Sequence, residues 1–286
     1  MTRFRTIAAI FAASAACGCA GTWDKVSSQK FRDAPFKSTF YPAEDPMTVL
    51  RTKVDGNERA DAMRRLTEPA ADGKSAQEQD EALQMLATAA TSDPSPIVRC
   101  AAIDALGRFA DPRAVKILIA AYHQADGVPS DPGKGGVVQA GKFDPLAGMG
   151  PVGFEPVFTT TLRSRAATAL ANTRQPEAVT FLASVAAGSG VDENGQPTTD
   201  RDVRSAAVRG LGRVRTKESV AALSRILKDE AGRDVVLAHN AHAGLKDLTG
   251  QNLPADPAEW EKVVQTGVEI QPEPNLIQRA VGWVTK

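Results

Sequence analysis

Val98-Arg99-Cys100-Ala101-Ala102-Ile103-Asp104-Ala105-Leu106-Gly107-Arg108-Phe109 decides the reading, because it returns as Val203-Arg204-Ser205-Ala206-Ala207-Val208-Arg209-Gly210-Leu211-Gly212-Arg213-Val214. A third copy, Leu162-Arg163-Ser164-Arg165-Ala166-Ala167-Thr168-Ala169-Leu170, lies between them. Within one copy, Val98, Ala101, Ala102, Ala105, Leu106 and Phe109 step by three and one, which gathers them on one stripe of a 3.6-residue helix. Each copy is followed at the same distance by a second apolar-periodic segment, marked by Val115 and Leu118, Val179 and Leu182, and Val220 and Leu223. Asp111-Pro112 and Gln175-Pro176 supply a turn and a Pro suited to starting that second helix.

A stripe made mostly of Ala buries little by itself. It does let helices approach closely, so stacked copies share a core that no single copy has. Weaker copies flank the clear ones. Arg59, Ala62, Met63 and Leu66 fit the first-helix pattern, followed by a helix around Glu81 to Ala90. Leu237, Ala241, Gly244, Leu245 and Leu248 fit it again, ending at a left-handed stop at Gly250. Asp256-Pro257-Ala258-Glu259 then reads as N-cap, N1 Pro and capping-box Glu of a closing helix that carries Trp260.

The Val-Arg-x-Ala-Ala-x-x-Ala/Gly-Leu-Gly strings at Val98 to Gly107 and Val203 to Gly212 resemble the HEAT family, specifically the short HEAT-like repeats also found in phycobilisome lyases. The resemblance covers roughly residues 55–266 and implies an all-α, right-handed α-solenoid of about five helix pairs, a fold that holds other proteins. Gly18-Cys19-Ala20-Gly21-Thr22-Trp23-Asp24, with the tether behind it and Leu248-Thr249-Gly250 before Asp256-Pro257, also looks like HEAT-repeat lipoproteins of planctomycete-type bacteria. That likeness implies a location and a fold, and no mechanism.

Outside the repeats, Arg3 and Arg5 precede an apolar run, Ile7 to Ala16, too short to span a bilayer, and then Ala15-Ala16-Cys17-Gly18-Cys19. The stretch resembles a bacterial lipoprotein cleavage site, with Cys19 the preferred acylated residue and Cys17 the alternative. The expected organisation is a signal peptide at 1–18, a lipid-anchored tether at 19–54, the repeat domain at 55–266 and a tail with a short helix at 267–286. Such a chain sits in the cell envelope, on a membrane and facing the periplasm. Trp23, Phe31, Phe36, Phe40 and Tyr41 give the tether more aromatics than a spacer needs; they pack on the first repeat or anchor a partner. In the tail, Leu276, Ile277, Ala280, Val281 and Val284 recur at helical spacing, as a cap or, with Trp283, a membrane-surface helix.

From 126 to 156 the helical period dissolves into Gly and Pro, which marks a flexible insertion or a loop that orders on a partner through Phe143, Phe154 and Phe158. Gly133-Lys134-Gly135-Gly136 lacks the Gly-Lys-Ser/Thr and the strand-to-helix frame of a phosphate cradle.

Composition narrows the function classes. The chain has 286 residues, 42% of them hydrophobic and 5% aromatic, which suits a helical core built on small side chains. Lys+Arg 34 balances Asp+Glu 34, so no basic excess points to nucleic acid. His239 and His242 share a helix face without an HExxH frame or a third ligand, and His242 occupies the place of Ile103 and Val208, so it reads as packing and no metal is expected. Cys100 stands where Ser164 and Ser205 stand, a slot for a small side chain with no accompanying His and carboxylate signature. No cofactor motif is present, and the chain reads as a non-catalytic scaffold for a protein partner. An enzyme related to the HEAT-like lyases and an envelope structural protein are the alternatives. One recurrent polar feature remains: Arg59, Arg99, Arg163 and Arg204 share one register at the start of successive first helices. They are expected to bond between repeats to acidic groups and helix-end carbonyls; the competing expectation is a basic stripe for a carboxylate-bearing partner.

Overall fold

The computed structural model describes residues 44–126, 154, 156–188 and 200–272. The chain divides into two units, 1–48 and 49–286. Of the first, the described part is the start of helix α1 (Pro46–Thr52), where the Thr48 N–H donates to the Asp45 carboxylate at 3.0 Å. The expected signal peptide, both cysteines of the lipidation motif, most of the tether, Phe143 and the tail helix fall outside the described residues.

Within the second unit the helices come in pairs: α2 (Gly56–Arg65) with α3 (Ala76–Ser92), α4 (Pro96–Leu106) with α5 (Arg113–His123), α6 (Pro156–Thr173) with α7 (Glu177–Ala187), α8 (Arg201–Leu211) with α9 (Lys217–Glu230), and α10 (Val235–Thr249) with α11 (Pro257–Thr266). No strand occurs among the described residues. First helices pack in sequence, α2 on α4, α4 on α6, α6 on α8 and α8 on α10. Second helices form a parallel row, α3 on α5, α5 on α7, α7 on α9 and α9 on α11. Each first helix also leans on the second helix of the pair before it. This is the two-layer α-solenoid that the sequence repeat calls for, and its five pairs match the expected number.

The core follows the predicted stripe. Val98, Ala101, Ala102, Ala105, Leu106 and Phe109 are all buried, as are their counterparts Leu162, Ala166, Ala169 and Leu170 on α6 and Val203, Ala206, Ala207 and Leu211 on α8. Close approach is its purpose. A Cβ added to Gly107 would lie 2.8 Å from Ala169 Cβ and 2.9 Å from Ala169 Cα; one on Gly212 would lie 3.1 Å from Gly244 Cα. The glycines of the Leu-Gly motif are therefore required by the neighbouring repeat.

Helix ends are fixed by local chemistry. Ser75 and Glu78 form a reciprocal capping box on α3, and the side chains of Asp55, Asp200, Thr216 and Asp234 cap α2, α8, α9 and α10. Gly250 terminates α10 in the left-handed conformation, with its N–H 2.8 Å from Lys246 O. Asp256 caps α11 through the Ala258 N–H, and the expected reciprocal bond to Glu259 is not made; the cap is a single Asx contact rather than a box. Trp260 is completely buried on α11 and donates from Nε1 to Pro254 O at 2.8 Å.

Two boundaries differ from the expected ones. Helix α1 lies inside the stretch read as tether, and α6 begins at Pro156, a turn and a half before the Leu162 stripe, so Phe158 stands on a helix rather than in the insertion. Thr159 is buried on this added turn, which gives it a packing partner that the Ala pattern alone does not announce.

Gly107→Ala is expected to lower the unfolding free energy by about 1–3 kcal/mol, the cost of overpacking a close contact. Gly56→Ala, whose Cβ would meet Val98 Cγ2 at an ordinary 3.4 Å, should change it by less than about 0.5 kcal/mol. Urea unfolding of the two variants checks the contrast, and equal effects would show that Gly107 is not a packing requirement.

Candidate functional site

The four arginines in one register sit at the N-terminal turns of first helices, where the antiparallel partner helices end. A helix leaves its last carbonyls without intrahelical donors and carries partial negative charge there. A guanidinium offers five donors in a planar fork. The structure brings these together. Arg99 Nε donates to Asp93 O, at the end of α3, and Nη1 to Gln124 O, at the end of α5, both at 2.7 Å. Arg204 Nε donates to Ala186 O in the last turn of α7 at 2.9 Å, and its Nη2 pairs with the Glu230 carboxylate that closes α9. Arg59 pairs with Asp93 at 2.8 Å, and Arg163 with Asp126 at 2.8 Å. Each of Arg99 and Arg204 thus ties its own pair to the preceding one.

Burial settles what these groups can reach. Arg99 is 1% exposed and Arg204 8%. A stripe open to a partner's carboxylates does not form at these two positions, because their donors are used inside the array; Arg59 and Arg163 are half-buried and ion-paired. Phe154 lays its ring 4.7 Å from the Arg99 guanidinium carbon, with its N–H 3.0 Å from Asp126 O, so this Phe is half-buried and covers the arginine rather than standing free as an anchor. Burial also lowers the Arg99 pKa from its ordinary value, opposed by Asp93, yet an arginine starts high enough to remain charged. Phe158 is 44% exposed on α6.

A second basic cluster forms at the opposite ends of the first helices. The repeat puts Arg108, Asn172 and Arg213 at one equivalent position and Arg174 and Arg215 at another two residues on. Together with Asp247 they line a cavity of about 490 Å³ that spans three successive first-helix ends. Arg108 donates to Met63 O at 2.9 Å and Arg64 O at 3.2 Å; Arg213 donates to Asn172 Oδ1 at 3.1 Å; Arg215 pairs with Asp247 at 3.1 Å and donates to Gln271 O at 2.8 Å. Sequence reasoning passed over this cluster. Its signal was the Gly-Arg pair at 107–108 and again at 212–213, which was absorbed into the packing motif.

Other charged contacts knit the array. Arg165 on α6 pairs with Asp104 on α4 at 2.5 Å. Hydrogen bonds from the Arg113 guanidinium hold the Asp111 carboxyl down to about 2, and Arg201 likewise holds Asp234, the cap of α10, well below the usual carboxylate range. The remaining chemical candidates are absorbed by packing. His242 Nε2 lies 2.8 Å from Leu253 O, and its ring meets Trp260 edge-on at 6.0 Å. Burial pushes the Cys100 thiol pKa up, which leaves less thiolate for nucleophilic attack. Among the described residues, no three His, Cys, Asp or Glu side chains converge into a metal-binding group, and no helix is long and apolar enough to cross a membrane.

Removing the most buried rung should cost the most. Arg99→Ala is expected to lower the unfolding free energy by about 3 kcal/mol, since two charge-assisted bonds to carbonyls are lost. Arg163→Ala, whose partner Asp126 is 66% exposed, should cost about 1 kcal/mol or less. Chemical denaturation of both variants tests this order, and a reversed order would remove Arg99 from its clamping role.

Comparison with known families agrees with the geometry. Residues 47–128 match the family model of HEAT repeats, which takes in the pairs α2–α3 and α4–α5, and residues 203–229 match the model of the PBS lyase HEAT-like repeat, which takes in α8 and nearly all of α9. No curated protein matches the chain. With its repeat motif, paired helices and matched segments in accord, the chain belongs to the HEAT-repeat family.

Proposed function

We propose that the chain is a non-catalytic protein-binding scaffold, tethered to a bacterial membrane by an acylated Cys19 and facing the periplasm. The observation that supports binding is the pattern of what the array leaves exposed. Ile97 on α4, Val157 and Phe158 on α6, and Val235 and Val236 on α10 are 51%, 70%, 44%, 79% and 45% exposed, all at N-terminal turns of first helices. Large apolar side chains repeated along one edge suit contact with another protein. Tethering rests on the Arg3, Arg5, Ile7 to Ala16 and Gly18-Cys19 sequence, which has the charged, apolar and small-residue order of an acylated export signal.

Intact mass and membrane fractionation of the chain expressed in a bacterial host test the tether. The wild type should be processed and membrane-bound, Cys19→Ala unprocessed or soluble, and Cys17→Ala unchanged. Membrane binding that survives both changes would remove the anchor from the proposal. Crosslinking at the membrane tests the scaffold, for which a reproducible protein partner is the required result.

A further inference from the structure

We infer that the arginine-lined cavity at the C-terminal turns of the first helices is the docking site for an acidic segment of the partner protein. The inference deepens the scaffold reading and rests on it. Four guanidinium groups, Arg108, Arg174, Arg213 and Arg215, face one carboxylate, Asp247, around this cavity. Only Arg215 is paired with that carboxylate. Arg108 is held by main-chain carbonyls and Arg213 by the Asn172 amide oxygen, bonds that fix the side chains without neutralising them. Arg108, Arg174 and Arg213 are exposed, so the charge is presented to solvent.

Arg174 adds an independent observation. Its φ of 56° places it in the left-handed region, and it is the only described non-Gly residue there. Glycine adopts that conformation without steric cost, so the backbone at this turn gives no reason for a large cation. The side chain it carries completes the cluster between Arg108 and Arg213.

Spacing favours an extended acidic segment over a compact anion. Packed helices lie about 8–10 Å apart, and the cationic positions recur once per first helix. A polyproline-II segment presents the same face every third residue, about 9.3 Å on. Carboxylates at every third position therefore fall in step with the repeat, and each meets a planar fork that accepts it in two-point fashion. A long polyanion such as nucleic acid is a poorer match, since Asp247 borders the cavity and the chain as a whole has no basic excess.

The test uses the full chain in detergent and a fluorescein-labelled peptide of four Glu-Pro-Pro repeats, followed by fluorescence anisotropy. Saturable, salt-sensitive binding is expected, with none to the Gln-Pro-Pro counterpart. Arg213→Glu should weaken it by about tenfold or more. Arg174→Gly should weaken it without lowering the melting temperature, because glycine suits the backbone there, so lost binding is separable from lost folding. Arg225→Glu, on α9 with its side chain 82% exposed, makes the same charge change away from the cavity and should alter binding less than about twofold. Absence of binding, equal weakening by Arg225→Glu, or tighter binding of tripolyphosphate with the same arginine dependence would each overturn the inference. Membrane crosslinking separates the two levels: a partner captured equally by wild type and Arg213→Glu sinks this site and leaves the scaffold standing, whereas capture of no partner sinks the scaffold.

Discussion

The closeness of successive first helices is the constraint on which the rest of the structure depends. Ala and Gly at the contact positions bury little area per residue, so no pair is stable by its own core. What the small side chains provide is a short distance, seen where Gly107 leaves no space for a Cβ against Ala169 and where Gly212 meets Gly244. At that distance the larger residues behind the stripe, Leu106, Leu170 and Leu211, are buried by neighbours as well as by their own helix. Stability is accordingly a property of adjacency, and a change at one interface is felt by the two repeats that share it.

Close packing creates a second requirement. Bringing pairs together collects the C-terminal ends of the second helices against the N-terminal turns of the first, and carbonyls at those ends lose water without gaining helical donors. Arg99 and Arg204 answer this with charged forks that reach two helix ends each. The buried Arg is thus a consequence of the Ala stripe: a looser array would leave these carbonyls to solvent and have no need of a cation under 10% exposed.

Much of this was legible in the sequence because it is periodic. The helix pairs, the Leu-Gly close approach, the Gly250 stop and the Asp256 cap each follow from residue type at a fixed offset. The arginine register was legible too, including its helix-end acceptors. Burial was not, since the exposure of a side chain depends on which element crosses it, and nothing in Val-Arg-x-Ala-Ala says that Phe154 will lie over Arg99. The extension of α6 back to Pro156 was hidden for a similar reason: Thr159 is buried by tertiary packing, while its local sequence, Phe158-Thr159-Thr160-Thr161, favours no helix. The cavity arginines were missed because their positions, 108, 174, 213 and 215, follow the helices rather than belong to them, where no periodicity links them.

The two arginine rows show how one side chain takes opposite roles at the two ends of the same helices. At the N-terminal turns the guanidinium groups meet helix ends of neighbouring pairs, so their charge is spent on carbonyls and on Asp93, Asp126 and Glu230. At the C-terminal turns the same helices already carry negative dipole ends, which favour a cation nearby without requiring that it be covered. Arg108 uses those carbonyls as a support and remains exposed. The helix dipoles therefore hold a row of cations at the rim of the array, with charge left over for something that arrives from solution.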